Sequence, residues 1–403
     1  MVTIVLVAIA IFAGLYMAWN IGANDVANSM STAVGAKAIT LRQAIVIASI
    51  LNVVGAILVG NHVTDTIKDK IIDMSMVTEH EAVLGFLAAL LAASLFVMLA
   101  TWRELPVSTT HAIIGGVTGF GLIGGGVEAV NWVTLRNVAA SWVLSPFAGA
   151  ALAFIMFRLI RKIIFDAKDP IASAKKLSPF FIGLTIFIVL MSVFSKTRAG
   201  EILGYTIYEY VIISLVLASL VGLVGSYHTR RISINREGKT YDIVEGLFRR
   251  LQVITSCYVA FSHGANDVAN AMGPLAVILA FGWKEIDTVY LLGLGGIGLT
   301  VGITTWGYKV IKTVGGRITD LTNTRGFSVE FAAASVVLTA SKLGLPVSTS
   351  HAVVGSVIGV GLARGLDAVD LNIIKKIVYS WLLTLPATVM GSILIYRGLI
   401  LLF

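Results

Sequence analysis

The chain has 403 residues, of which 57% are hydrophobic and 13% are charged, and its formal net charge is +8. A soluble globular domain carries about 25% charged residues, so this composition excludes an ordinary soluble protein and predicts a polytopic membrane protein. The single cysteine, Cys257, excludes an intrachain disulfide and a cysteine metal cluster. The basic residues are concentrated in a few loops, which indicates membrane orientation and not nucleic-acid binding.

Apolar segments of membrane-spanning length recur along the whole chain, because a spanning helix needs about 20 apolar residues. They predict an all-α polytopic membrane protein with about 12 transmembrane helices. Two further apolar segments, 22–36 and 264–281, are short and glycine-rich, and we interpret them as re-entrant or broken half-helices. The spans are predicted at 2–20, 44–60, 82–101, 111–126, 138–158, 177–195, 203–225, 246–262, 288–311, 327–342, 346–362 and 377–396.

Two basic clusters predict the orientation. Lys and Arg crowd the regions 158–176 and 230–250, which the positive-inside rule places in the cytoplasm. The acidic loop from Asn61 to Glu81 is predicted outside, and counting spans back from the basic clusters agrees with that placement. The sequence therefore predicts a multi-pass protein of the cell membrane with both termini outside.

Two motifs occur twice. Gly22 to Met30 reads Gly-Ala-Asn-Asp-Val-Ala-Asn-Ser-Met and returns, with one change, from Gly264 to Met272. A Leu-Pro-Val-Ser-Thr-x-His motif ends at His111 and returns ending at His351. An odd number of predicted spans separates the copies, so the halves are predicted to be inverted repeats, as in many transporters. The predicted divisions are 1–165 for the first repeat, 166–244 for a linking helical hairpin and 245–403 for the second repeat.

The Gly-Ala-Asn-Asp motifs place carboxylates, Asp25 and Asp267, in apolar surroundings. A charged group at bilayer depth costs roughly 2.5–3.5 kcal/mol, so such groups are paired, solvated or bound to an ion. Gly22 and Gly264 are predicted to break the helix there, and the freed carbonyls with Asp and Asn oxygens would suit a dehydrated hard cation. The alternative is that Asn and Asp only cap a helix start.

The Pro-Val-Ser-Thr motifs predict helix starts. Pro106 and Pro346 set a turn, and the hydroxyl residues after them cap the following helix. Free N–H groups and hydroxyls at a helix N-terminus bind oxyanions; the alternative is a pair of capped structural helices. Gly-x-x-x-Gly spacings follow, which let helices approach closely. His263 precedes the second Gly-Ala-Asn-Asp motif where Ile21 precedes the first, and we interpret it as structural or gating.

Together the duplicated motifs resemble the inorganic phosphate transporter (PiT) family over essentially the whole chain. The resemblance implies inverted repeats, phosphate carriage coupled to sodium or protons, and homodimers. The large central cytoplasmic loop of animal members is missing, since region 226–250 is short. Carried over by position, the implied phosphate residues are Ser108, Thr109, Thr110, Ser348, Thr349, Ser350, Asn28 and Asn270, and the implied sodium residues are Asn24, Asp25, Asn266 and Asp267.

The resulting expectation is a secondary active symporter that moves inorganic phosphate with sodium ions across the lipid bilayer, by alternating access around a midplane site and without an organic cofactor. No Lys or Arg lies in either Gly-Ala-Asn-Asp motif, so a bound anion needs cations or protons beside it. The alternatives are a proton-coupled phosphate symporter, a sulfate symporter, an anion channel and a membrane-embedded phosphatase. Symmetric duplication and the lack of nearby arginines count against the phosphatase. The absence of a P-loop motif counts against direct ATP coupling.

Overall fold

The fold is all-helical, as expected from the sequence. The computed structural model describes residues 2–59, 71–196, 203–231, 240–282, 286–342 and 347–403. Over these residues the only strand-like pairing is an isolated bridge between Ile72 and Val130. The helices are α1 (Val2–Gly35), α2 (Leu41–Val59), α3 (Glu79–Trp102), α4 (Thr109–Gly124), α5 (Trp132–Ile160), α6 (Pro170–Lys196), α7 (Ile207–Arg231), α8 (Thr240–Gly282), α9 (Thr288–Thr305), α10 (Gly307–Gly316), α11 (Asn323–Lys342), α12 (Thr349–Arg364) and α13 (Leu371–Leu402).

Within the described ranges, eight helices are long and apolar enough to cross a membrane. The short helices are not where the sequence placed them. Segments 22–36 and 264–281 lie inside the continuous helices α1 and α8, so the predicted breaks at Gly22 and Gly264 are wrong. The short helices are α4 and α12, which have 16 residues each. At 1.5 Å per residue they are about 24 Å long, which is too short to cross the membrane alone.

Gly22 and Gly264 serve close packing instead of a helix break. A Cβ atom on Gly22 would lie 2.0 Å from the carbonyl oxygen of Leu299 in α9. A Cβ atom on Gly264 would lie 2.1 Å from the carbonyl oxygen of Asn52 in α2. Only glycine allows backbones to approach this closely. The two motif helices are therefore held against α9 and α2 at matching points.

The two halves exchange helices. The first hairpin consists of α3 and α4, and the second hairpin consists of α11 and α12. Helix α4 packs along α13, and α12 packs along α5. The Gly-x-x-x-Gly positions make these contacts, because Cβ atoms on Gly119 and Gly359 would lie 2.4 Å from the Val389 carbonyl oxygen and 2.1 Å from that of Ala150. The predicted close approach is confirmed, but each glycine face meets a helix of the other half.

Two hydrophobic cores fill the molecule on either side of the motifs. One core contains α1 residues up to Ile21 and α8 residues from Val268 onward, packed with the first hairpin. The other contains α1 residues from Val26 onward and Ala260 of α8, packed with the second hairpin. The apolar side chains of both Gly-Ala-Asn-Asp motifs therefore belong to these cores, and their polar side chains lie between them. A third core joins the end of α5 and the linking helix α6 to α8 and α11 through Phe181, Phe248 and neighbouring side chains.

The predicted loops are mostly helical ends. Helix α5 continues through a π-turn at Arg161–Phe165, and α6 begins at Pro170, so the first basic cluster consists of two helix ends joined by a short turn. Part of the second cluster, 232–239, and residues 60–70 of the acidic loop lie outside the described residues. The Glu104 carboxylate lies 2.6 Å from Arg317 Nη1. The neighbouring Arg103 lies over the ring of Trp102.

Candidate functional site

Four helices bring the predicted residues together in the gap between the two cores. Helices α1 and α8 supply the Gly-Ala-Asn-Asp motifs from their interiors, and α4 and α12 supply the hydroxyl residues from their first turns. Asp25 and Asp267 are each 1% exposed. Buried carboxylates at this depth require partners or a cation. The site is therefore built from both halves, as the duplicated motifs predicted.

Asp25 is held by hydroxyl groups of both hairpins. Thr109 Oγ1 donates to Asp25 Oδ2 at 2.5 Å, and Ser350 Oγ lies 3.5 Å from Asp25 Oδ1. Ser350 Oγ also donates to the carbonyl of Val107 at 3.1 Å. The starts of α4 and α12 thus meet at one carboxylate. A ligand bound between these helix starts would lie directly beside Asp25.

Asp267 has different partners. His263, one helical turn earlier on α8, places Nε2 2.7 Å from Asp267 Oδ2 and 3.9 Å from Asp25 Oδ2. The 2.7 Å contact lacks the alignment of a full hydrogen bond. Asn266 Nδ2 donates to the other oxygen, Oδ1, at 2.9 Å. Asp25, His263 and Asp267 form the one group of three or more potential metal-ligating side chains found among the described residues.

Two amides cross from one half to the other. Asn28 of the first half donates to Ser350 Oγ at 2.9 Å and to Thr349 Oγ1 at 3.3 Å in the second half. Asn270 of the second half donates to Thr110 Oγ1 at 3.0 Å in the first. These reciprocal bonds repeat the same chemistry at both helix starts. They place Asn28 and Asn270 with the hydroxyl residues predicted to bind phosphate.

The helix starts are capped as expected. Ser108 Oγ accepts from His111 N at 3.2 Å, and Ser348 Oγ accepts from His351 N at 3.3 Å. Each cap satisfies one backbone N–H, and the remaining N–H groups of the first turn and the positive end of the helix dipole favour an anion. Both serine hydroxyls can still donate. The two caps are equivalent and lie one residue before Thr109 and Thr349.

Asn24 holds the turn of the first hairpin. Its Nδ2 donates to Thr101 Oγ1 at 2.8 Å and to the Leu105 carbonyl at 3.0 Å, and its Oδ1 accepts from Val107 N at 3.1 Å. Asn24 was predicted to bind sodium together with Asp25. The geometry gives it a clear second task, which is to fix the Pro-Val-Ser-Thr turn relative to α1.

The histidines that end the two Pro-Val-Ser-Thr motifs lie behind the helix starts. His111 and His351 pack edge to face with ring centroids 4.9 Å apart. His351 Nδ1 lies 3.3 Å from the Trp142 carbonyl, and its ring stacks on Trp381 at 3.8 Å. This backbone contact matches the structural task expected for His351. Trp381 Nε1 in turn donates to the carbonyl of Pro106 at 3.0 Å.

A cleft borders the site along α8 and the second hairpin. Its polar side includes Asn28, His263, Asn266 and Thr349, and its apolar side includes Val337 and neighbouring residues of α11. The cleft therefore reaches Asn28 and Thr349 of the predicted phosphate residues and Asn266 of the predicted sodium residues.

Three buried groups near the motifs were missed or undervalued in the sequence. His263 touches both carboxylates, and its spacing of four residues from Asp267 was the available signal. Asn52 of α2 contacts His263 Nδ1 at 2.7 Å. Glu330 of α11 is 2% exposed and accepts hydrogen bonds from the hydroxyls of Thr32, Thr255 and Ser256. A lone acid in an apolar helix could have indicated Glu330, and its oxygen-rich surroundings suit an alkali cation.

The chemistry of the site favours an anion beside cations. Hydroxyl, amide and helix N-terminal groups donate to an oxyanion, while carboxylate oxygens attract a cation. No Lys or Arg side chain of the described residues is buried. A bound oxyanion therefore has no fixed cationic side chain to offset its charge. These donor and acceptor groups together fit an oxyanion accompanied by cations.

Comparison with known proteins identifies the family. Residues 21–392 match the phosphate transporter family, and the chain belongs to it. A phosphate permease homologue of Pyrococcus abyssi is 48% identical over 95% of each chain, and one of Pyrococcus furiosus is 46% identical over 98% of this chain and 96% of its own. The chloroplastic inorganic phosphate transporter 2-1 of Arabidopsis thaliana is 41% identical over 93% of this chain and 68% of its own.

A solved structure described as the sodium-dependent phosphate transporter superposes with a TM-score of 0.89. It is 44% identical, and the match covers 99% of this chain and 100% of that one. The protein described here is accordingly a membrane transporter of the phosphate transporter family and not an enzyme. The phosphatase alternative is excluded.

Proposed function

We propose that this protein is a symporter that carries inorganic phosphate together with sodium ions. The observation that carries the proposal is the sharing of Asp25 between the two hairpins: Thr109 and Ser350, from helix starts suited to an oxyanion, both reach a carboxylate suited to a cation. The solved relative described as sodium-dependent supports the choice of sodium.

Phosphate would lie between the starts of α4 and α12. Its donors would be the two helix N-termini and the hydroxyls of Ser108, Thr109, Thr110, Ser348, Thr349 and Ser350, with the amides of Asn28 and Asn270. Hydrogen bonds to a charged group are worth about 1.5–3 kcal/mol each, so a few of them suffice for binding. Phosphate also carries a proton near neutral pH and needs an acceptor, which a carboxylate of the site supplies.

Sodium would lie beside the carboxylates of Asp25 and Asp267, with amide oxygens of Asn24 and Asn266 as further ligands. Sodium lowers the repulsion between these carboxylates and phosphate. Each species then binds more tightly when the other is present, and the two effects must be equal by linkage. This linkage is the thermodynamic basis of symport.

Transport would proceed by alternating access, in which the two repeats move around the shared site. The repeat boundaries at 165/166 and 244/245, the outward termini, the cell membrane location and the homodimer remain predictions. Cysteine placed at exposed Ser75 should react with an impermeant reagent outside sealed cells, and cysteine placed at exposed Asp169 should not. The reverse pattern would overturn the orientation.

Uptake into liposomes tests the function directly. Purified protein is reconstituted, and labelled phosphate uptake is measured with an inward sodium, potassium or proton gradient. The proposal expects uptake with sodium alone, competition by arsenate and weaker competition by sulfate. Uptake driven by protons without sodium would favour proton coupling, and stronger competition by sulfate than by arsenate would favour a sulfate carrier.

A further inference from the structure

One polar pair behind the site breaks the symmetry of the two halves. Gly22 packs against the Leu299 backbone and Gly264 against the Asn52 backbone at nearly the same distance, so Leu299 and Asn52 occupy matching positions. Ile21 precedes Gly22, and His263 precedes Gly264. The first motif therefore has an apolar pair where the second has His263 and Asn52.

Asn52 has a fixed orientation. Its Nδ2 donates to the Ala48 carbonyl at 2.8 Å, which can only accept. The amide oxygen, Oδ1, therefore faces His263 Nδ1 at 2.7 Å, and Nδ1 must carry the hydrogen. Asn52 is 0% exposed and His263 is 2% exposed, so water does not replace this bond. The imidazole is held in one orientation.

That orientation directs the other ring nitrogen at the carboxylates. His263 Nε2 lies 2.7 Å from Asp267 Oδ2, so the edge of the imidazole occupies the space beside this carboxylate oxygen. The same nitrogen is 3.9 Å from Asp25 Oδ2. The carboxylate of Asp267 thus has an imidazole in contact, while that of Asp25 is approached by hydroxyl groups.

We infer that Asn52 is a positioning residue that holds the imidazole of His263 against Asp267, so that a cation must displace this imidazole to reach Asp267 but not Asp25. The inference rests on the proposed sodium symport. It makes the two carboxylates unequal cation positions within a duplicated site, and it gives Asn52 control over the sodium concentration that phosphate binding requires.

The test compares two variants that lose the pair. Asn52→Leu installs the residue type that faces the first motif, and the double variant His263→Ile/Asn52→Leu installs the complete apolar pair without leaving an unsatisfied imidazole. Both should lower the sodium concentration for half-maximal phosphate binding in detergent by about fivefold, because the imidazole is no longer held against Asp267. Phosphate affinity at saturating sodium should stay within about twofold. A purely structural task would not separate these two quantities.

A control sharpens the result. Ser49→Ala removes a nearby α2 hydroxyl that has no hydrogen-bond partner within the described part of the chain, and it should leave the sodium requirement unchanged. Folding is checked by thermal unfolding.

The inference is overturned if the folded double variant keeps the wild-type sodium requirement, or if folded Asn52→Leu does. Failure of the proposed function would show separately, in the wild-type protein. If phosphate binding to wild-type protein ignores sodium, the coupling itself is wrong before any variant is compared.

Discussion

Asp25 and Asp267 occupy the same position in two copies of one motif, but the structure gives them different neighbours. Asp25 is bonded by Thr109 and approached by Ser350, which come from opposite halves. Asp267 is in contact with His263 and accepts from Asn266, both on its own helix. The difference shows that sequence duplication preserves the position of a charge without preserving its partners. Residues outside the motif decide what each copy does.

Replacing each carboxylate with its amide should cause the largest loss of phosphate uptake among the variants considered. Asp25→Asn and Asp267→Asn keep the shape and remove one negative charge. Each should reduce sodium-dependent phosphate uptake more than tenfold, since interactions with a charged group are worth about 1.5–3 kcal/mol. Asp25→Asn should have the larger effect on phosphate binding because its carboxylate also orders the hydroxyls of both hairpins.

Sodium and phosphate binding to these variants are measured in detergent, with folding checked by thermal unfolding. Sodium and phosphate affinity should fall together because the two are linked. If both variants fold and retain the wild-type sodium dependence, the carboxylates do not serve the cations.

The packing glycines offer a comparison in which the halves should behave alike. Gly22→Ala and Gly264→Ala each force a Cβ atom into a backbone carbonyl, and overpacking of this kind costs about 1–3 kcal/mol. Both variants should therefore unfold at lower temperature by similar amounts. Gly293→Ala on α9, where a Cβ would meet nothing within 4 Å, is the matched control. Equal melting temperatures for Gly22→Ala and the control would contradict the packing account.

The capping serines are also equivalent, so Ser108→Ala and Ser348→Ala should have similar effects. Each removes an N-cap worth about 1 kcal/mol of stability and a hydroxyl that would donate to phosphate. Phosphate affinity should fall about tenfold, with a smaller change in sodium binding measured alone. Ser348→Thr keeps both the cap and the donor and should restore most of the affinity. A variant that loses stability but binds phosphate normally would limit these serines to capping.

The smallest expected change in stability concerns one position after α3, where the two halves differ in sequence. Glu104 follows α3 with φ at +60°, a region that favours glycine, and the matching position in the second half is Gly344. Glu104→Gly should relieve roughly 1 kcal/mol of strain while losing an exposed ion pair worth about 0–1 kcal/mol. Lys37→Gly relieves a similar φ of +57° and is the comparison variant without that ion pair.

The unfolding temperatures of the two purified variants are compared by differential scanning. Lys37→Gly should raise the unfolding temperature slightly more than Glu104→Gly. A marked loss of stability for Glu104→Gly alone would show that its ion pair with Arg317 contributes more than an exposed pair usually does.

The sequence was a good guide wherever a residue repeats or a segment is uniformly apolar. The helical class, the converging motifs and the close approach at Gly119 and Gly359 could all be predicted, because each depends on local chemistry. The continuity of α1 and α8 could not, since a glycine that permits a helix break also permits close packing. Only the position of Leu299 and Asn52 in space distinguishes the two uses.

The exchange of α4 and α12 between the halves is likewise a tertiary property that no local pattern encodes. Asn52 and Glu330 were missed because neither belongs to a repeated motif. A single polar residue in an apolar helix is a weak signal until its partners are known. Asn52 has two hydrogen-bonding partners. The Ala48 carbonyl belongs to the same helix, whereas His263 belongs to α8, and only the fold brings His263 to Asn52.

The central claim is that phosphate and sodium share one linked site, and a single binding measurement tests it most directly. Phosphate Kd is measured for the wild-type protein in detergent over a series of sodium concentrations, with potassium keeping the ionic strength constant. The account predicts that phosphate Kd falls as sodium rises, and that sodium binding tightens by the same factor when phosphate is added. A phosphate Kd that is the same in sodium and in potassium would contradict it.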